Sequence, residues 1–246
     1  MLKIPIFKRL IPSLRKRLRV ILNKRIFWTK INEIYFLIDI KDKIDSEFYF
    51  KKQYEVDNFN FILKNKFFKK NFIFLDVGCN SGIYSLNLLN CFNTCEKVFA
   101  FEPIIDTFIK FNQNVKKNNL QKKVESFNFA LSNVDEKKKM KTIFKNNINQ
   151  SAVFEISSSG NVNISSRVFD NSFTFLNKFI FLKCDTEGHE YEVLEGMKSN
   201  LMHNYFLILI EIRKKNYKKV SHFLKEINYQ LIYKSKEQDS YFFGKV

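Results

Sequence analysis

The sequence predicts an α/β fold, in which a doubly wound, mainly parallel sheet is covered by helices on both faces. From residue 72 onward, short apolar runs bounded by turn or charged residues alternate with segments of helical periodicity. The length of 246 residues suits one domain of generous size. With only 6 Gly and 3 Pro in the chain, fibrous and low-complexity architectures are excluded.

Five apolar runs read as buried strands because each is short, rich in β-branched or aromatic residues and closed by a turn signal. They are Phe72–Leu75, Val98–Phe101, Val124–Phe129, Phe179–Leu182 and Phe206–Ile212. Two further strand-like runs, Tyr229–Lys234 and Ser240–Lys245, close the chain around a polar turn, which favours an antiparallel pair.

Helices are predicted where apolar residues recur at three- and four-residue intervals. Three segments show this pattern, in the sets Ile105, Phe108, Ile109 and Val115; Val193, Leu194, Met197 and Leu201; and Tyr217, Val220, Leu224 and Ile227. The part before residue 72 reads as a mixed lead-in without a clear linker. Residues 134–171 read as an irregular insertion, either a lid over the substrate or a plain surface loop.

The net charge of +17 invites a nucleic-acid interpretation, but its distribution weakens it. Residues 1–30 carry ten basic side chains and no acid, which leaves a net charge of only +7 on the rest. Leu14, Leu18, Ile21 and Leu22, following Pro12, predict a basic amphipathic helix in this tail. Three interpretations stay open for it: contact with an anionic membrane surface, docking on the domain itself, and nucleic-acid binding or targeting.

No metal site is predicted, because the four cysteines form no C-x-x-C pair and none is followed by a histidine at ligand spacing. The longest apolar run has six residues, and basic residues interrupt the N-terminal segment, so neither a membrane span nor a secretory signal is expected. We therefore expect a cytoplasmic protein, with peripheral membrane attachment as an open alternative.

A first candidate site follows the strand that begins at Phe72. Asp76 ends the strand, and Gly78 and Gly82 would allow a sharp turn and a close approach. The sequence is neither the G-x-G-x-x-G dinucleotide fingerprint nor a phosphate loop. Glu102 ends the next strand, where its carboxylate could grip ribose hydroxyls. A glycine turn with an acidic ribose clamp predicts an adenosyl ligand without a diphosphate, and S-adenosylmethionine fits.

A second candidate site follows the strand that begins at Phe179. Asp185, Glu187 and His189 alternate across a turn, and such groups could take a proton from a substrate hydroxyl. The alternative is that these residues only cap and begin a helix. Glu211 interrupts an otherwise apolar strand, and since a buried acid needs partners, we expect it to face the site.

These motifs, in this order, resemble the FkbM family of S-adenosylmethionine-dependent methyltransferases. The resemblance runs from about Tyr54 to Ile212, and its most specific piece is the segment from Asp185 to Glu190. It implies a class I methyltransferase fold, Rossmann-like, with a seven-stranded sheet whose last strand is antiparallel. The cofactor would be held by Asp76, Gly78, Asn80, Gly82, Glu102 and Pro103, with Ala130 beside the adenine; Asp185, Glu187 and His189 would face the acceptor. Residues 1–50 would be a basic extension and residues 51–246 the methyltransferase domain.

The sequence thus predicts an O-methyltransferase whose acceptor is a sugar or glycan hydroxyl or a natural product. Its expected partners are this small-molecule or glycan acceptor and a membrane surface contacted through the N-terminal basic helix, with no nucleic acid. One alternative is a nucleic-acid-binding protein or RNA methyltransferase that uses the basic charge. The other is a methyltransferase-like fold that binds the cofactor and no longer catalyses.

Overall fold

The computed structural model describes residues 25–142, 154–156, 159–236 and 239–245. The predicted basic helix of the N-terminal tail and the middle of the 134–171 insertion lie outside these ranges.

A seven-stranded sheet forms the centre of the fold. Its spatial order is β5, β4, β3, β10, β11, β13, β12, with strands β3 (Phe72–Val77), β4 (Cys95–Phe101), β5 (Val124–Phe127), β10 (Phe179–Cys184), β11 (Tyr205–Glu211), β12 (Tyr229–Lys234) and β13 (Ser240–Lys245). The neighbours from β5 to β11 pair in parallel, whereas β13 is antiparallel to both β11 and β12. The predicted fold class is therefore confirmed, including the antiparallel last strand.

Helices cover both faces of this sheet. They are α1 (Lys43–Lys51), α2 (Val56–Lys64), α3 (Ile83–Cys91), α4 (Ile105–Lys117), α5 (Phe169–Ser172), α6 (Glu190–Gly196), α7 (Lys198–His203) and α8 (Tyr217–Glu226), with a 3₁₀ helix at Lys66–Lys69. The helix predicted over the apolar positions 193–201 is interrupted at Met197, which separates α6 from α7.

The core has two layers, one on each face of the sheet, because successive side chains of a strand point to opposite faces. In β3, Phe74 packs with the layer beneath α3 and α4, whereas Leu75 packs with the layer beneath α6 and α8. All six residues of β3 are buried, as expected of a central parallel strand. These buried strands fix where their carboxyl ends, and hence the site residues, lie.

A β-hairpin precedes the sheet and packs against helices α3 and α4, which cover one face of the sheet. Strands β1 (Ile26–Ile31) and β2 (Ile34–Asp39) are joined by Asn32 and Glu33, both with positive φ, as in a two-residue hairpin turn. One face of the hairpin belongs to the same core layer as Phe74. Residues 26–50 of the predicted extension thus pack with one core layer of the central sheet, and the domain boundary at residue 51 stays a prediction.

The insertion contributes a second, four-stranded sheet instead of the expected irregular loop. Its spatial order is β6, β9, β7, β8, with β6 (Ala130–Ser132), β7 (Glu136–Thr142), β8 (Phe154–Ile156) and β9 (Val162–Val168). Met140 and Ile164 on its inner side pack with Ile104, which follows β4. The insertion therefore reaches the carboxyl edge of the central sheet.

Candidate active site

The carboxyl ends of four parallel strands assemble the site. Following the sheet order, Glu211 ends β11, Asp185 follows β10, Gly78 follows β3 and Glu102 follows β4. The two motifs that are more than 100 residues apart in the chain are therefore neighbours, because β10 pairs directly with β3. This edge is where open parallel sheets bind ligands.

The turn after β3 depends on backbone conformations that side chains disfavour. Gly78, Asn80 and Gly82 have φ of 74°, 49° and 87°. A Cβ on Gly78 would lie 2.0 Å from the carbonyl oxygen of Asp185, and one on Gly82 would lie 2.6 Å from the ring of Phe111. The glycines thus allow the turn to pack against its neighbours in the protein.

Asp76 lies behind this turn, fully buried. Its Oδ2 accepts a hydrogen bond of 2.6 Å from Ser85 Oγ in α3, while Oδ1 has no partner within the described residues. Burial raises the pKa of Asp76, and the charge of Lys183 counteracts this effect. Its contacts tie strand β3 to helix α3.

Glu102 receives two backbone hydrogen bonds. The N–H of Asn80 donates to Oε2 at 3.1 Å, and the N–H of Ile104 donates to Oε1 at 2.9 Å. Burial raises the pKa of Glu102 to about 7, against these hydrogen bonds. The carboxylate is therefore fixed in orientation beside the glycine turn, and it retains acceptor capacity on both oxygens for ligand hydroxyls.

The Asp185 turn lies on the other side of Gly78. The backbone N–H of Asp185 donates to the Val77 carbonyl at 3.1 Å, and Lys183 Nζ lies 3.3 Å from Asp185 Oδ2. Glu190 holds the rest of the turn, since its Oε1 accepts from Thr186 N, Thr186 Oγ1 and Gly188 N at 3.3, 3.2 and 2.7 Å. Glu190, the last residue of the segment that begins at Asp185, therefore shapes this turn.

Glu187 has a positive φ of 57° and pairs with Arg213, whose Nη2 lies 3.2 Å from Oε2. Burial and the charge of Asp185 raise the pKa of Glu187, and Arg213 opposes that rise.

His189 is held by neighbours on both ring nitrogens. Nε2 lies 2.9 Å from Ser132 Oγ of the small sheet, and Nδ1 lies 3.5 Å from Glu192 Oε2. Burial and the nearby charge of Lys138 lower the pKa of His189, so its imidazole is neutral at pH 7.

Two further acids stand near Asp185. Burial, together with the charges of Asp185, Glu55 and Glu187, raises the pKa of Glu211 to about 8. Burial also raises the pKa of Glu55, which accepts hydrogen bonds from Tyr84 and from Asn58 Nδ2. The side of the site near β11 is therefore acidic and holds protons at neutral pH.

A cavity of about 270 Å³ runs along this edge. Eight of the residues predicted for the site line it: Gly78, Asn80, Glu102, Pro103, Ala130, Asp185, Glu187 and His189. Two predicted residues, Asp76 and Gly82, do not line it. Glu211 faces the cavity, as expected from its place in an apolar strand.

Sequence reasoning missed several lining residues. Tyr54 precedes α2, Tyr84 lies in α3 and Met140 lies in the insertion. In the sequence, the two tyrosines cannot be distinguished from ordinary core aromatics. Lys183 had a usable signal, because a lysine inside a buried apolar strand requires a counter-charge.

The residues present fit an adenosyl ligand with a charged end. Apolar side chains of Phe101, Ile104 and Leu131 line the cavity near Glu102, which suits a base beside a hydroxyl-bearing ribose. Within the described residues, no cluster of three or more His, Cys, Asp or Glu side chains is arranged to hold a metal ion.

A family model for the methyltransferase FkbM domain matches residues 76–236, about two-thirds of the chain. The chain belongs to the FkbM methyltransferase family. The resemblance drawn from the motifs is thereby confirmed, and S-adenosylmethionine is the cofactor of this FkbM domain. Among curated proteins, no significant match to the sequence is found.

Several solved structures are similar to this chain at low sequence identity. An FkbM methyltransferase from Methylobacillus flagellatus is 15% identical over 81% of this chain and 52% of its own, with a TM-score of 0.48. TrmK of M. capricolum, in complex with S-adenosyl-homocysteine, is 16% identical over 75% of this chain and 66% of its own, with a TM-score of 0.40. A ribosomal protein L11 methylase from Lactobacillus delbrueckii subsp. bulgaricus is 12% identical over 70% and 67%, with a TM-score of 0.42. This chain thus spans about half the length of the first of these.

Across the described residues, no helix combines the length and apolar character needed to cross a bilayer.

Proposed function

We propose that this FkbM protein is an S-adenosylmethionine-dependent O-methyltransferase acting on a hydroxyl of a sugar or glycan. The observation that carries the proposal is one continuous cavity with two chemically different sides. Glu102 and the glycine turn lie on the β4 side, and Asp185, Glu187, His189 and Glu211 lie on the side of β10 and β11.

The β4 side is the proposed donor side. Glu102 binds ribose hydroxyls, the backbone of Gly78 and Asn80 contacts the aminoacyl end, and Pro103 and Ala130 border the adenine. Asp76 and Gly82 act from behind, since Asp76 binds Ser85 and Gly82 packs on Phe111. S-adenosylmethionine supplies an activated methyl group, so the protein's main contribution is alignment of the two reactants.

The side near β10 is the proposed acceptor side. Both ring nitrogens of His189 already face protein oxygens, whereas the Asp185 carboxylate lines the cavity and is bound on one side by Lys183. Asp185 is thus the better placed to accept the hydroxyl proton. Glu187 and His189, whose imidazole is neutral, orient the acceptor.

The charge of this side favours a neutral acceptor. Carboxyl groups of Glu55, Asp185, Glu187 and Glu211 surround it, and they can form hydrogen bonds with several hydroxyls, whereas they offer no positive charge to the phosphates of a nucleic acid. The ring of Tyr54 adds an apolar surface against which a sugar ring can pack. A glycan therefore suits the acceptor side better than RNA does.

Two variants test the two sides separately. Glu102→Ala should lose calorimetric binding of S-adenosylhomocysteine by at least about tenfold, because a bidentate hydroxyl contact is removed. The double variant Asp185→Asn/His189→Gln should bind S-adenosylhomocysteine within about tenfold of wild type and lose methyl transfer to a glycan acceptor found by screening the wild type with labelled cofactor. Full turnover in the double variant would refute the acceptor assignment, and a folded wild type that binds no S-adenosylhomocysteine would refute the function.

We also propose that the basic N-terminal tail brings the enzyme to an anionic membrane surface. Support comes from the ten basic side chains in residues 1–30 and from the hairpin that follows, where Ile26 and Trp28 are 58% and 40% exposed. Basic residues near aromatic and aliphatic ones suit an anionic headgroup layer.

Trp28 is the only tryptophan of the chain and reports directly on this contact. Vesicles containing phosphatidylglycerol should shift its fluorescence to the blue and sediment the protein, whereas pure phosphatidylcholine vesicles should do neither. Replacing the basic residues before position 25 with glutamine should abolish both effects. An unchanged spectrum and no sedimentation with the anionic vesicles would contradict the proposal.

A further inference from the structure

The function proposed above uses Lys183 only as a neighbour of Asp185, although it lies in the middle of the site. It belongs to the central strand β10, where it pairs in register with Asp76 of β3. Its side chain is only 8% exposed. A cation at such a position requires compensation from several directions.

Its contacts join the two sides of the cavity. Nζ lies 3.3 Å from Asp185 Oδ2 on the acceptor side and 3.5 Å from the carbonyl oxygen of Gly78 in the donor-side turn. The ring centroid of Tyr84 is 5.3 Å away. One ammonium group therefore contacts both the turn that holds the donor and the carboxylate proposed as proton acceptor.

Acidic groups face Lys183 from every strand and loop around it. They are Asp76 of β3, Glu102 after β4, Asp185 after β10, Glu211 of β11 and Glu55 before α2, with the phenols of Tyr54 and Tyr84 beside them. Burial alone would lower the pKa of Lys183, but the carboxylates of Asp185, Asp76 and Glu55 raise it above its usual value. In turn, Lys183 opposes the burial that raises the pKa of Asp76, Glu102, Glu55 and Glu211.

We propose that Lys183 is a positioning residue, the shared counter-ion that holds the Gly78 turn and the Asp185 carboxylate together and supplies a positive charge to the donor-side carboxylates. The inference rests on the proposed function, because it assigns the donor and acceptor sides as above. It explains how one buried strand can carry a lysine between two carboxylates without loss of the fold.

The test is the pH dependence of S-adenosylhomocysteine binding, measured by calorimetry from pH 6 to 9. Wild type should lose affinity as pH falls through the pKa of Glu102, since a protonated carboxyl accepts fewer hydrogen bonds from hydroxyls. In Lys183→Met, the midpoint of that loss should move upward by about one pH unit or more, because the removed charge no longer favours the ionised acids. At pH 7 the affinity should fall by about fivefold or more, because the ionised fraction of Glu102 falls by that factor when its pKa rises by one unit.

Two controls distinguish electrostatics from structure. Lys183→Arg keeps the charge and should retain the wild-type midpoint. Lys110→Met removes another ion-paired lysine, which binds the buried Asp45 of α1 and does not line the cavity, so its midpoint should also be that of wild type.

Three outcomes would overturn the inference. A Lys183→Met protein that binds less tightly by the same factor at every pH would show that Lys183 has a purely structural role. An unchanged affinity would show that Lys183 has no role in binding. If Lys183→Met does not fold, Lys183→Gln is measured instead, and failure of both to fold at any pH from 6 to 9 makes Lys183 a structural ion. A wild type that does not bind the ligand refutes the proposed function instead, so the two failures are distinguishable.

Discussion

Gly78 is the residue at which the two halves of the site meet. With φ of 74° and a virtual Cβ only 2.0 Å from the Asp185 carbonyl oxygen, it accepts no side chain without moving the β10 turn. Gly78→Ala should therefore destabilise the protein by about 2 kcal/mol or more and abolish S-adenosylhomocysteine binding.

Gly244→Ala is the matched control, because its nearest neighbour is a side-chain atom of Ile232 at 3.4 Å and its φ is not in the left-handed region. Urea unfolding and calorimetric binding measure both variants. A Gly78→Ala protein as stable as Gly244→Ala, with intact binding, would contradict the structural reason given for the glycine.

Residue types at strand ends were predictable, whereas their exact roles were not. Asp185 and Glu211 could be assigned to the cavity from sequence because a polar residue ending an apolar strand must face something polar. Asp76 ends its strand in the same way, yet it is fully buried and binds Ser85, because α3 passes directly over it. Sequence spacing does not reveal which helix covers a strand end.

At the scale of elements, β3, β10 and β11 could be predicted because each is buried on both faces and reads as a continuous apolar run. Strand β7 could not, since Glu136–Thr142 is dominated by lysines. Its alternation becomes visible only in the structure, where Met140 points inward to the cavity and the flanking Lys139 and Lys141 are exposed. A half-exposed strand of an insertion has too weak a pattern to be distinguished from a loop.

The interruption between α6 and α7 has a similar origin. Apolar periodicity from Val193 to Leu201 predicted one helix, and the structure buries all four apolar positions of that pattern, Val193, Leu194, Met197 and Leu201. A Cβ on Gly196 would lie 2.0 Å from the Ser132 carbonyl oxygen, so the end of α6 approaches β6 more closely than an ordinary helix could. That contact also brings Ser132 to His189. Tertiary packing thus sets both the break and the histidine's position.

At the scale of the whole molecule, the parallel sheet gathers acids from distant segments at one buried edge, and this gathering has a cost that depends on pH. Burial raises the pKa of Glu102 to about 7 and that of Glu211 to about 8, compared with about 4.3 for an exposed glutamate. Between the pKa of an exposed glutamate and the raised pKa of each of these residues, the folded state therefore holds more protons than the unfolded state.

The free energy of unfolding should consequently fall as pH rises from 6 to 9, because stability is lost as each raised pKa is passed. His189 has a lowered pKa and acts in the opposite direction only below its usual value of about 6.5, so it opposes the trend only at the lower end of this window. Thermal melting without ligand should show a midpoint several degrees lower at pH 9 than at pH 6, at about 2–4 °C per kcal/mol for a chain of this size. In Glu211→Gln the difference should shrink, with the gain in stability appearing at pH 9, while Glu125→Gln, at the exposed position of β5, should melt like wild type. A wild-type midpoint that does not change between pH 6 and 9 would show that these acids are solvated and ionised in the folded protein, and that the acceptor side is more open than its burial indicates.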